Sequence, residues 1–142
     1  MLLEPYTAVG PVKFGMSLGR VRNLLGEPSI LTKNRRGDLV LRYAGLHVTV
    51  SVERVVEVEV LPETPLSLAG VDVFGDPSAL KALCGLDGDA QHCLGAIILM
   101  NLGISLTGFH DGNESQKSVT AFARGRFDIL KSKMMRFADF PL

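Results

Sequence analysis

An internal repeat constrains this chain more than any other feature. The segment from Gly10 to Gly15 (GPVKFG) returns sixty residues later as Gly70 to Gly75 (GVDVFG). A helix-like stretch follows each copy: Ser17 to Leu25 closed by Gly26, and Pro77 to Cys84 closed by Gly85. Leu39 to Thr49 then aligns without a gap against Ile97 to Thr107. Such a chain is predicted to form an α+β fold in which two tandem helix-plus-antiparallel-meander units build one sheet-and-helices domain. Unit one covers residues 6–61 and unit two 66–126, with residues 62–66 between them. The 142 residues are a usual length for a single domain, and 46% apolar content is enough for a core without staples.

Local signals place the elements. The Ser17 hydroxyl is positioned to cap the first helix, whose Val21, Leu24 and Leu25 make one apolar stripe, and Gly26 and Pro28 end it. Asp76 at the cap and Pro77 at the first helical position announce the second, with Leu80 and Leu83 toward the core. Strands are predicted at 39–43, 46–52 and 55–60 in unit one, and at 96–101, 104–109 and 118–124 in unit two. Val56, Val58 and Val60 alternate with Glu57 and Glu59, which predicts a strand with one dry and one wet face. Residues 6–14 and 66–74 add edge elements limited by Pro5, Pro11 and Pro65. The tail, 127–142, lies outside the repeat; Phe127, Leu130, Met134 and Phe137 recur at helical spacing and predict a C-terminal amphipathic helix.

Charge is balanced in total, with 15 basic and 15 acidic residues, but not along the chain. Residues 1–43 carry seven Lys or Arg against three acids, residues 44–115 two against ten, and residues 116–142 six against two. Overall neutrality argues against nucleic acid as a partner, since phosphate binding needs a net basic face. The acidic middle suits a basic protein partner instead. The N-terminus has no basic region followed by an apolar run and no lipid-attachment cysteine, which predicts a cytoplasmic protein. Ala90 to Phe109 lacks charged residues over a span-like length, but glycines and Asn101 interrupt it, so a buried hairpin is expected and no membrane partner.

Little of the chain predicts catalysis, and the expectation is a protein that is not an enzyme and takes no cofactor. His47, His92 and His110 stand far apart in sequence, and no nucleophile elbow, phosphate loop or metalloprotease motif is present. Cys84 and Cys93, near Asp87, Asp89 and His92, match no common zinc spacing, so buried free thiols and no metal are expected. Arg35 and Arg36 make the densest basic loop, suited either to clamping an anion or to a solvated turn. If a partner docks, the acidic outer face of the first sheet is the first place to look.

The string from Phe14 to Pro28 (FGMSLGRVRNLLGEP) resembles a signature of small bacterial α+β domains: Phe-Gly-Met-Ser/Thr, a short helix with Val and Leu-Leu, then Gly-Glu/Asp-Pro. It is similar to segments of β-lactamase inhibitor proteins, of outer-membrane-assembly lipoproteins and of immunity proteins encoded beside interbacterial toxins. Gly19 and Arg20 depart from it, since the common pattern is acidic early in the helix. The resemblance implies inhibition by binding, and the missing export signal selects a cytoplasmic immunity protein whose partner is a cognate toxin from the adjacent gene. Its contacts are expected among Glu57, Glu59, Tyr43, His47, Asp111 and Glu114. A chaperone-like adaptor and a small-ligand-binding domain are the alternatives, and an exposed edge strand leaves homodimerisation open.

Overall fold

The computed structural model describes residues 1–112 and 114–137. The chain opens with three two-residue strands, β1 (Leu3–Glu4), β2 (Ala8–Val9) and β3 (Val12–Lys13), paired in that order. Helix α1 (Leu18–Leu25) leads into a meander of β4 (Ile30–Lys33), β5 (Leu39–Tyr43), β6 (Leu46–Ser51) and β7 (Arg54–Val60). A hairpin of β8 (Ser67–Leu68) and β9 (Val71–Asp72) precedes helix α2 (Ala79–Asp87). A second meander follows: β10 (Gln91–Cys93), β11 (Ala96–Leu99), β12 (Ile104–Thr107) and β13 (Ser118–Phe122). Beyond it lie a 3-10 helix, Asp128–Lys133, and β14 (Met135–Arg136).

The fold is thus mixed α+β, dominated by one antiparallel sheet of order β14-β10-β11-β12-β13-β7-β6-β5-β4. The two meanders join through their last strands, with Ala121 opposite Val58 and Val119 opposite Val60. A single apolar row therefore crosses both: Leu41, Val48, Val58, Ala121, Ile104 and Leu99 stand in register, each at most 1% exposed. Each large aliphatic buried this way contributes about 1.5–3 kcal/mol. Val21 of α1, Leu83 of α2 and Val9, Val12, Leu68 and Val73 of the small hairpins cover the same face.

Several elements differ from the sequence expectations. Helix α2 runs through Gly85 to Asp87, and Gly88, at φ +79°, supplies the left-handed cap. Glycine inside a helix costs roughly 1 kcal/mol, and the hydrogen bonds that Asp87 makes from the added turn offset it. Asp76 holds the turn before the helix by accepting from the Ser78 amide at 2.8 Å. Along the β6–β7 pair the register shifts between Thr49 and Val50 of β6, so Val55 of β7 pairs with Val50 while Glu57 pairs with Thr49. The extra residue is Val56, which leaves the dry face; Val55, Val58 and Val60 fill it.

Strands β4 and β10 fall in segments where no strand was predicted. The side chains of β4 give no alternation to read, being mostly exposed along its whole length. The glycine-framed repeat is one residue out of register in space: Phe14 donates to Thr7 O, whereas the matching bond is from Val73, not Phe74, to Leu66 O. The tail forms the 3-10 helix and β14 where an amphipathic α-helix was expected. Phe127 and Leu130, three apart, share a face in a 3-10 helix as they would in an α-helix, and the edge of β10 offers backbone partners to Met135 and Arg136. Residues 138–142 of that expected helix lie outside the described residues. Among the described residues no helix is long and apolar enough to cross a membrane.

Candidate functional site

The face of the sheet away from the helices divides in two. Over the second meander it is closed by the chain that follows β13. Phe127 stacks on Phe122 with ring centroids 4.0 Å apart, and Leu130 and Met134 pack with Cys93 and Ile98. Tyr6 meets the edge of Phe122 and donates its hydroxyl to the Met100 carbonyl, with the Arg124 guanidinium 4.3 Å from its ring centroid. Burial raises the Tyr6 phenol above its ordinary value, against the pull of Arg124.

Over the first meander the same face is polar. Register places Arg42, His47, Glu59 and Thr120 side by side on β5, β6, β7 and β13. His47 Nδ1 lies 2.9 Å from Glu59 Oε1 and 3.2 Å from Arg42 Nη1. One ring nitrogen cannot donate to a carboxylate and accept from a guanidinium together, so the proton on Nδ1 selects Glu59 and its absence selects Arg42. The two contacts are therefore alternatives at that one nitrogen.

Beside it sits a more buried triad. Arg126 donates from Nε to Glu57 Oε2 at 2.7 Å and from Nη2 to Asp38 Oδ2 at 2.8 Å. The three side chains are only 11%, 20% and 9% exposed, respectively. Burial pushes the Asp38 carboxyl up, but hydrogen bonds from Arg126, Ser51 and Asn34 outweigh it and hold the group below the ordinary aspartate value. Asp38 and Arg126 escaped sequence reasoning because a Gly-Asp pair and a charged residue after a strand both read as solvated.

The other sequence-predicted residues scatter. Glu57 is engaged by Arg126, while Glu59 and His47 remain on the ladder. Tyr43 packs with the helix-side core and donates its hydroxyl to Gly26 O at 2.9 Å. Asp111 and Glu114 belong to the loop between β12 and β13, where Glu114 pairs with Lys117 at 3.0 Å and Lys117 lies 4.9 Å from the centroid of Phe109. Strand register puts this loop and Tyr43 at one end of the sheet, three strands apart. The structure thus brings together Glu57, Glu59 and His47 and separates them from Tyr43, Asp111 and Glu114.

Arg35 and Arg36 are exposed on a turn organised by Asn34, whose Oδ1 accepts from the amides of Arg36 and Asp38, both at 3.0 Å. Those amides are therefore already engaged. A depression of about 360 Å³ beside the turn is lined by Lys33, Asp38, Leu39 and Val50, among others, but not by Arg35, Arg36, His47 or His110.

Cys84 and Cys93 are buried, free and in different core clusters. Burial and then the nearby Asp87 charge push the Cys84 thiol up to about 11, which leaves it unreactive. Asp87 is 5% exposed and accepts from the amides of Asn101 and Leu102 at 2.9 and 3.1 Å and of Asp89 at 3.1 Å. Burial raises its carboxyl above the ordinary value, and the three amides pull it partly back. No group of three or more His, Cys, Asp or Glu among the described residues is arranged to hold a metal. No protein-family model, curated protein or solved structure matches the chain significantly.

Proposed function

We propose that this chain acts by binding, as a cytoplasmic immunity protein that covers the active-site cleft of a cognate toxin with the open half of its sheet. The observation that carries this reading is the asymmetry of the outer face. The chain after β13 closes the half over β10–β13 with its own aromatic and aliphatic side chains. The half over β4–β7 instead presents a row of hydrogen-bonded charges, with the Glu59 side chain 36% exposed. A rigid sheet bearing charges of both signs suits recognition of a complementary protein surface. Because Glu57 is neutralised by Arg126 and Glu59 stands beside His47 and Arg42, the partner needs paired charges rather than a uniformly basic patch.

We also read the scaffold as two diverged copies of one unit. Supporting this, the aligned residues Tyr43 and Asn101 tether their strands to the ends of the two helices, through Gly26 O at 2.9 Å and Asp87 O at 2.8 Å. The aligned turn glycines Gly45 and Gly103 sit at φ +72° and +68°. Divergence would then account for one covered and one open half, with Asp111 and Glu114 extending the contact at the sheet end.

The test is co-expression and pull-down with the product of the adjacent gene, with protection of cells producing that toxin. One dominant partner is expected, and Glu59→Arg should weaken its affinity by about tenfold or more. Recovery of several unrelated partners would favour an adaptor, and failure to bind or protect would remove the immunity reading.

A further inference from the structure

We propose that two copies of the chain pair edge to edge through β4, continuing the sheet across a twofold axis. Strand β4 ends the sheet order, with Ile30 56% and Leu31 47% exposed. Which of its backbone groups point outward follows from the hairpin beside it. Tyr43 and Leu46 flank the two-residue turn between β5 and β6, so Tyr43, Leu41 and Leu39 bond to β6, while Val40 and Arg42 bond to β4. Thr32 is therefore satisfied by Val40, and the Ser29 amide by Arg42 O at 2.9 Å. The amides and carbonyls of Leu31 and Lys33 face outward.

Those two residues define a self-complementary register. Leu31 of each copy lies opposite Lys33 of the other, which forms four backbone hydrogen bonds and sets Thr32 against its own counterpart on the axis. Charge selects a second copy in this orientation. Glu27, whose side chain is 78% exposed with a carboxylate oxygen 3.4 Å from Arg22 Nε, precedes the strand, so that end is locally balanced, and Lys33, Arg35 and Arg36 make the other end basic. Antiparallel pairing sets each acid against the other copy's basic end, whereas parallel pairing would align like with like. The facing Thr32 pair adds a favourable cross-strand contact. The dimer carries the two open outer faces on one continuous sheet, independently of what binds them.

Light scattering on the eluting protein, over a concentration series reaching about 100 µM, should show a dimer that dissociates on dilution. Glu27→Lys should weaken the dimer by about tenfold, and combining it with Arg35→Glu and Arg36→Glu should restore it. Facing residues in a non-hydrogen-bonded antiparallel pair lie within disulfide reach, so oxidised Thr32→Cys should give a covalent dimer and Leu31→Cys should not. The native Cys84 and Cys93 are buried and do not compete. Circular dichroism checks that each variant is folded. A wild-type monomer throughout the series, a dimer insensitive to Glu27→Lys, or cross-linking at Leu31→Cys instead of Thr32→Cys would each overturn the proposal.

Discussion

Asp87 and Asp38 show how one residue type takes opposite roles in the same molecule. Asp87 sits under the turn between β11 and β12 with its carboxyl raised by burial, so the folded chain holds that proton more tightly than the unfolded one. Its contribution is therefore largest in acid; stability falls as pH rises through the ordinary aspartate value and levels off above Asp87's own. Asp38 is depressed by its hydrogen bonds, so its contribution is complete above the ordinary value and is lost as pH falls through its own. Denaturation midpoints between about pH 2 and 6 should show Asp87→Asn flattening the first slope and Asp38→Asn the second. An unchanged slope in either variant would refute its assignment.

At the scale of elements, the turns hold the least comfortable backbone. Among the described residues, three two-residue turns place both positions at positive φ: Ala69 and Gly70, Leu94 and Gly95, and Val52 and Glu53. The first two supply glycine at the second position. The third has none, with Val52 at φ +48° and Glu53 at +63°, and Val52 is 93% exposed. A β-branched residue in the left-handed region gains nothing there from burial. Replacing the pair by Asn-Gly should raise stability by about 1–2 kcal/mol, read as a higher melting temperature. A lower one would mean that Val52 makes a contact that offsets its strain. Ser17, by contrast, behaves as sequence reasoning expects, accepting from the Arg20 amide at 3.2 Å to start α1.

At the scale of the molecule, Arg126 binds distant parts of the chain together. It reaches from beyond β13 to Glu57 and Asp38, 69 and 88 residues earlier, and anchors the start of the segment that crosses the outer face. Arg126→Met would leave two poorly hydrated carboxylates unpaired, at a cost of about 3 kcal/mol in chemical denaturation. Adding Asp38→Asn and Glu57→Gln should recover much of that loss, since the cost lies in uncompensated charge. No recovery would place the role of Arg126 in packing.

Much of the framework was legible in the residues alone because its signals are local. Strand β5 falls at Leu39–Tyr43 as anticipated, the turns after β5 and β11 carry Gly45 and Gly103, and both cysteines are buried and free. Short-range sterics, capping and alternation act within a few residues, so they can be read from a single stretch of chain. The site was less legible. That Tyr43 faces the helices, that Glu57 is spoken for by Arg126, and that one half of the outer face is covered while the other stays open all depend on partners well outside the local stretch of chain. Burial strengthens each polar contact and penalises its absence, and burial exists only once the two meanders have joined along β7 and β13.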